Sequence, residues 1–256
     1  MDTGRHFNAI AQTYRSLRRI DYSPLRHIFK LLSPSSPLQG LELGCGTGRY
    51  TEILLKHFPN LYLRCVDISK AMLRELERNL RSQGFSRFKS LQKRVEDVSF
   101  SKNTFDALFS FNAIHHFDLE QILPLLEESV KQGGWIFFYT RLQSQNKSTI
   151  WGKHFPKFAK KENRLYTEDQ LQDYFHQSPQ LRIYSIMKFQ YPRKATVKEL
   201  LKSADNAHYS TFCFYTPSEY KLARVQFKRN LLQTYGNPGT IKWTDRYTLL
   251  IARRIA

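Results

Sequence analysis

Two hydrophobic periods alternate along this chain. Short apolar stretches end in glycine or an acid, and stretches with apolar residues three and four apart follow them. Leu38–Leu43 runs into Gly44-Cys45-Gly46-Thr47-Gly48, and Arg49 to Leu55 has helical spacing. That pattern predicts strand, tight turn and helix, the opening unit of a doubly wound α/β sheet. Residues 61–66 predict a second strand closed by Asp67, then a helix capped by Ser69 and ended at Gly84. Residues 105–112 and 135–139 predict two further strands, the latter entered through Gly133-Gly134. Ahead of the sheet, residues 5–31 read as helical, with Phe7, Ile10, Ala11, Tyr14 and Leu17 on one face. The cluster Ser33-Pro34-Ser35-Ser36-Pro37 predicts a turn between that segment and the sheet. Beyond Thr140 the pattern loosens. It predicts a helix over 165–175 with a Thr167/Gln170 capping box, a strand over 181–191 and helices over 196–205 and 218–234. A turn at Asn237-Pro238-Gly239 and a terminal strand over 241–253 follow.

Composition narrows the class. With 256 residues, 41% hydrophobic and 14% aromatic, the chain is long enough to bury a substantial core and is not a disordered segment. It has no apolar run long enough to span a bilayer and no apolar stretch of the secretory type after Met1, so a cytoplasmic protein is expected. Cys45, Cys65 and Cys213 lack metal-ligand spacing and are expected to be reduced thiols; no metal site is expected. Net charge is +18, unevenly spread. Residues 1–30 hold six Lys/Arg against two acids, residues 31–140 hold 13 against 12, and residues 141–256 hold 21 against eight. Solubility, an anionic surface such as nucleic acid, and an acidic ligand each account for such an excess.

The glycine turn carries the most specific signal. A dinucleotide fingerprint asks for G-x-G-x-x-G, but the third position here is Arg49. The spacing is G-x-G-x-G with Glu42 two residues ahead, which resembles motif I of the class I S-adenosylmethionine (SAM) dependent methyltransferases. Asp67 at the end of the second strand suits a pair of ribose hydroxyls, as an acid does in nicotinamide sites too. Asp67-Ile68-Ser69 with Met72-Leu73 is similar to the family's D-x-S-x-x-M-L. Phe7 to Tyr14 with Arg18 resembles its F-x-x-x-A-x-x-Y segment and following arginine, and residues 129–139 resemble its L-K-P-G-G-x-L. One stretch departs: where the family reads Q-G-D-A-E-D-L-P-F, this chain reads Gln92-Lys93-Arg94-Val95-Glu96-Asp97-Val98-Ser99-Phe100, with Arg94 in place of an acid.

The resemblance, strongest in its small-molecule branch, implies a Rossmann-like seven-stranded sheet with an antiparallel terminal strand filling the edge. It implies an N-terminal helical cap over residues 1–35 and a methyltransferase domain over 36–256, with a helical substrate cap at about 195–235. SAM would lie against Tyr14, Arg18, Glu42, Gly44, Cys45, Gly46, Asp67, Ile68, Val95, Glu96 and Asn112. Glu42 would meet the ammonium and Ile68 the adenine. Glu96, Asp97 or the Val95 backbone would replace the acid lost at Arg94. His115 and His116, at the carboxyl end of a central strand, would stand near the methyl group, one as a base or simply holding the loop. The expected acceptor is a small molecule bearing negative charge. Nucleic acid fits less well, because the strand ends Asn112-Ala113-Ile114-His115 and not in an N-P-P-Y type of sequence. A non-catalytic SAM-fold binding protein is the alternative outside enzymes.

Overall fold

A computed structural model of the chain describes residues 3–32, 36–236 and 239–255. Parts of the turns expected at Ser33–Pro37 and Asn237–Gly239 lie outside the described residues. Seven strands form one sheet: β1 (Leu38–Leu43), β2 (Leu61–Asp67), β3 (Phe88–Gln92), β4 (Phe105–Phe111), β5 (Val130–Thr140), β6 (Leu181–Ala195) and β7 (Ile241–Arg254). Their order is β3-β2-β1-β4-β5-β7-β6, with β1 to β5 mutually parallel and β7 antiparallel to both β5 and β6. The terminal strand is antiparallel as expected, but it does not fill the edge. It lies between β5 and β6, and β6 takes the edge.

Alternation along each strand supplies two hydrophobic faces. Phe137, Tyr139, Leu249 and Ile251 point to one face with α2 (Ser23–Leu31), α3 (Arg49–His57) and α4 (Lys70–Arg81). Ile136, Phe138, Leu250 and Ala252 point to the other with α5 (Leu119–Ser129) and α9 (Glu168–Gln177). The N-terminal segment is two helices rather than one: α1 (Thr3–Leu17) ends before Arg18, and α2 begins with Pro24 in its first turn. Proline is accepted there because it has no N–H to leave unpaired. Three short helices after β5 go unpredicted by the sequence: α6 (Gln143–Lys147), α7 (Ile150–His154) and α8 (Phe158–Lys161). The last two and the link between them pack Trp151, Phe155 and Phe158 against Phe212, Phe227 and Leu231, so that α10 (Val197–Asp205) and α11 (Pro217–Tyr235) share a third apolar cluster with them. Capping boxes start α9, α10 and α11 at Thr167, Thr196 and Thr216. Among the described residues, no helix is long and apolar enough to cross a membrane.

Candidate active site

The site begins where β1 ends. The chain turns through Gly44 and Gly46 at φ of +69° and +55°. A Cβ on Gly44 would stand 2.4 Å from the Ala113 Cβ, so glycine there is a packing requirement. A Cβ on Gly46 would meet only the Tyr14 ring, at 4.0 Å. Both glycines wall a cavity of about 160 Å³ at the carboxyl ends of β1, β2 and β4. Asp67 orders this wall: its Oδ2 accepts from the Gly46 N–H at 2.9 Å and its Oδ1 from the Ser69 N–H at 2.8 Å. Burial pushes the Asp67 carboxyl up, and these two backbone donors work against that. Each carboxylate oxygen keeps a second lone pair for a ligand hydroxyl. Ile68, 39% exposed, offers an apolar surface opposite, beside Val95, Glu96 and Phe117. Glu96 accepts from the Asp118 N–H at 3.1 Å, and the Arg94 guanidinium stands 3.5 Å from its other oxygen. Asp97 does not line the cavity; Glu96 does.

Two candidate contacts lie behind this wall. Glu42 is 2% exposed, and its Oε2 accepts from the Thr51 hydroxyl at 2.6 Å. Burial raises its pKa to about 8, the Thr51 bond opposing. Cys45 is buried too, its thiol pushed well up by desolvation. Neither lines the cavity: Glu42 in β1 is turned onto Thr51 of α3, and Cys45, just past the strand, is packed into the core cluster with Cys65.

A second, smaller chamber of about 50 Å³ adjoins the first and shares Phe7, Tyr14, Asn112 and His116 with it. Arg18, His115, Arg141, Tyr209 and Tyr247 line it as well, together with Asn146, Leu165, Ser210, Thr211 and one carboxylate, Glu162, which is paired with Arg164. Arg141 follows β5 directly, is 6% exposed, donates to the Tyr247 hydroxyl at 2.7 Å and stands 3.5 Å from Asp245. The Nε atoms of Arg18 and Arg141 and the Nδ1 of His115 are buried and lack a hydrogen-bond partner. Desolvation, then the Arg164, Arg18 and Arg141 cations, drive the His115 pKa down to about 3, so its imidazole is neutral. His116 is held differently: the Arg164 Nη1 lies 3.1 Å from its Nδ1, and a guanidinium only donates. Its Nδ1 therefore accepts, and the ring hydrogen sits on Nε2. Arg164 is fixed in turn by Glu162, through Nε at 2.8 Å and Nη2 at 2.5 Å. Tyr14 is pulled the other way: burial raises its pKa, but the Arg18 and Arg49 cations outweigh that and lower it.

A third cavity, of about 370 Å³, opens beneath α10 and shares Arg18, Tyr209 and Tyr247 with the small chamber. Asn112 lines all three spaces. Its φ of +57° follows β4 directly and turns the chain away from the sheet there. Arg18 thus faces the two inner spaces rather than the glycine cavity.

Sequence reasoning missed Arg141, Arg164, Tyr209 and Tyr247. Only Arg141 carried a signal, its place immediately after a strand at the carboxyl end of the sheet.

The chain is similar to several known proteins. Residues 41–134 match a family model described as a methyltransferase domain. Malonyl-[acyl-carrier protein] O-methyltransferase of Paenibacillus sp. is 31% identical over 105 residues, 39% of this chain and 37% of that protein. The enzyme of the same name from Halalkalibacterium halodurans is 28% identical over 145 residues, 53% of each chain. The chain thus spans about half or less of the length of these two curated relatives. Among solved structures, the YcgJ protein of Bacillus subtilis superposes with a TM-score of 0.66 at 16% identity, covering 92% of this chain and 100% of that one. A geranyl diphosphate methyltransferase in complex with SAM superposes with a TM-score of 0.58 at 16% identity, covering 90% and 84%.

Proposed function

We propose that this chain is a class I SAM-dependent methyltransferase that esterifies a carboxylate on a small acceptor. One observation carries the reading. Arg18, Arg141 and His115, each with one buried nitrogen that lacks a partner, line a chamber that shares a wall with the glycine cavity. A buried donor without an acceptor costs about 1–3 kcal/mol, and more when charged, so the two arginine N–H groups favour an anionic ligand in the chamber.

The glycine cavity fits SAM on its own evidence: Gly46 keeps the space clear, Asp67 has lone pairs for the ribose, and Ile68 and Val95 offer apolar surface for the adenine. Tyr14, Gly44, Glu96 and Asn112 complete the set that would hold it, while Glu42 and Cys45 support the loop from behind. When bound, SAM supplies an electrophilic methyl group whose transfer to a carboxylate forms an ester and releases S-adenosylhomocysteine without a proton.

Arg141 and Arg18 would hold the carboxylate and set its direction, and positioning supplies much of the rate. His115, neutral, would donate or accept a hydrogen bond and has no proton to remove. His116, its hydrogen on Nε2, would donate from the wall between the two spaces. Phe7 and Tyr14, from the N-terminal helix, would keep water from the junction. Residues 1–35 then act as a cap, and the helices at 195–235 as a substrate cap together with α7 and α8. The relatives' name is in keeping with this reading, since a malonyl group ends in a carboxylate.

The test is calorimetric titration with S-adenosylhomocysteine, then incubation with SAM and a panel of short mono- and dicarboxylates and their thioesters. Mass spectrometry should find a base-labile methyl ester, with no proton released in weak buffer. Methylated amines or carbons, or one proton released per turnover, would overturn the carboxylate assignment.

A further inference from the structure

We infer that the cavity beneath α10 binds a phosphoryl group, carried by the part of the acceptor that lies outside the methyl-transfer chamber. The inference rests on the reading above only in assigning that group to the acceptor; the site itself stands on the cavity. The space of about 370 Å³ is in the range of small-molecule pockets and far exceeds what one carboxylate needs.

Its charge is unbalanced. Six cations and three acids line it. Two of the acids, Asp21 and Asp245, are taken up by Arg193, at 2.7 and 3.3 Å, and Asp245 also stands 3.5 Å from Arg141. Those four groups close a neutral network. Arg18, Arg19, Arg49, Lys194 and Lys202 remain, and among the described residues none of the five is ion-paired. Against them stands only Glu199, one negative charge, which forms the α10 capping box and interacts with the Arg19 cation, so the excess is four.

Depth distinguishes this from a solvated basic face. Arg49 is 8% exposed and spends one terminal nitrogen on the carbonyls of Arg18 and Arg19, both at 3.0 Å. The Arg18 guanidinium lies 4.3 Å from the centre of the Tyr209 ring with its Nε buried and unpaired. Arg19, Lys194 and Lys202 are exposed at the mouth. Cations withdrawn from water without carboxylates are costly unless an anion meets them. A phosphate monoester carries about −1.5 to −2 at neutral pH, closer to this excess than a carboxylate, and arginine forks match its oxygens. The ends of the arrangement are joined: Arg18, Tyr209 and Tyr247 line both this cavity and the methyl-transfer chamber, so one extended molecule can occupy both.

The probe is inorganic pyrophosphate, titrated into the full chain without SAM and read by calorimetry and thermal shift. Saturable binding is expected, weakened on the order of tenfold or more by the double variant Lys194→Gln/Lys202→Gln, whose exposed side chains leave the fold intact. Displacement by glycerol 3-phosphate points to a free phosphoester, and displacement only by a phosphoserine peptide to one borne on protein. Absent pyrophosphate binding, unchanged affinity in the double variant, or equal stabilisation by a short dicarboxylate would overturn the site. Failure of S-adenosylhomocysteine binding with pyrophosphate binding intact would instead overturn the methyltransferase reading and leave this cavity standing.

Discussion

Replacing Glu42 by glutamine separates a cofactor-binding carboxylate from a buried carboxylic acid. In the structure Glu42 is enclosed, accepts from Thr51 and has its pKa raised from 4.5 to about 8 by burial. A carboxyl whose folded pKa exceeds its unfolded one stabilises the fold fully below the unfolded value. That contribution is lost as pH rises from about 4.5 towards 8, because the unfolded chain ionises first. Each pH unit in that window removes about 1.4 kcal/mol, so by pH 7 the loss is about 3 kcal/mol. Glutamine keeps an acceptor for Thr51 and does not titrate, at a cost of about 1 kcal/mol for an imperfectly matched amide. Glu42→Gln should therefore be slightly less stable than the wild type near pH 5 and more stable by about 2 kcal/mol near pH 7. At this chain length that corresponds to a Tm gain of about 4–8 °C. Melting both proteins between pH 5 and 8.5 gives the difference directly, since every other titrating group cancels. Affinity for S-adenosylhomocysteine at pH 7.5 should stay within about threefold, which is under 1 kcal/mol. A Tm difference independent of pH, or one that favours the wild type as pH rises, would show that Glu42 is ionised in the fold. A large loss of affinity would return it to the cofactor.

The two glycines of the turn should part company. Gly44→Ala meets Ala113 and a left-handed backbone and should lose about 3 kcal/mol in denaturant titration, whereas Gly46→Ala should lose about 1 kcal/mol but more than tenfold in S-adenosylhomocysteine affinity. His115→Ala should reduce turnover by about tenfold without altering the pH–rate profile between pH 6 and 8, since the ring is neutral throughout; loss of an acidic limb would show that it titrates in catalysis. Asp21→Ala removes the nearer of Arg193's two carboxylate partners and the acceptor of the Tyr139 hydroxyl, and should destabilise the fold by about 3 kcal/mol on calorimetric melting. Affinity for a carboxylate acceptor should fall only modestly with salt, and a steep log-linear fall would instead indicate a polyanion.

What the sequence discloses about this molecule follows the range of the forces involved. The glycine turn, the acid closing β2, and the caps at Ser69 and Thr167 are local. Each depends on residues within a few positions of one another, and each appears where expected. The placement of β7 between β5 and β6 depends on partners about 50 and 110 residues away, and no periodicity within β7 encodes it. Helices α6 to α8 have only four or five residues each, too short to be stable by propensity; α7 and α8 exist because Trp151, Phe155 and Phe158 bury against the insert, and α6 is tied to β7 by the Gln145 amide donating to the Thr248 hydroxyl. Within the site the same division holds. Gly44, Gly46, Asp67 and Ile68 were legible, and Arg18 and His115 were named, but the chamber these two line also takes Arg141, Tyr209 and Tyr247, and the five come from five separate stretches. Charge shows the limit most clearly. Of the 21 basic residues after Thr140, only Arg141, Arg193, Lys194 and Lys202 line the two spaces beneath the insert. A sum over the sequence weights all 21 alike. The fold weights them by desolvation, which strengthens the few buried cations and leaves water to screen the rest.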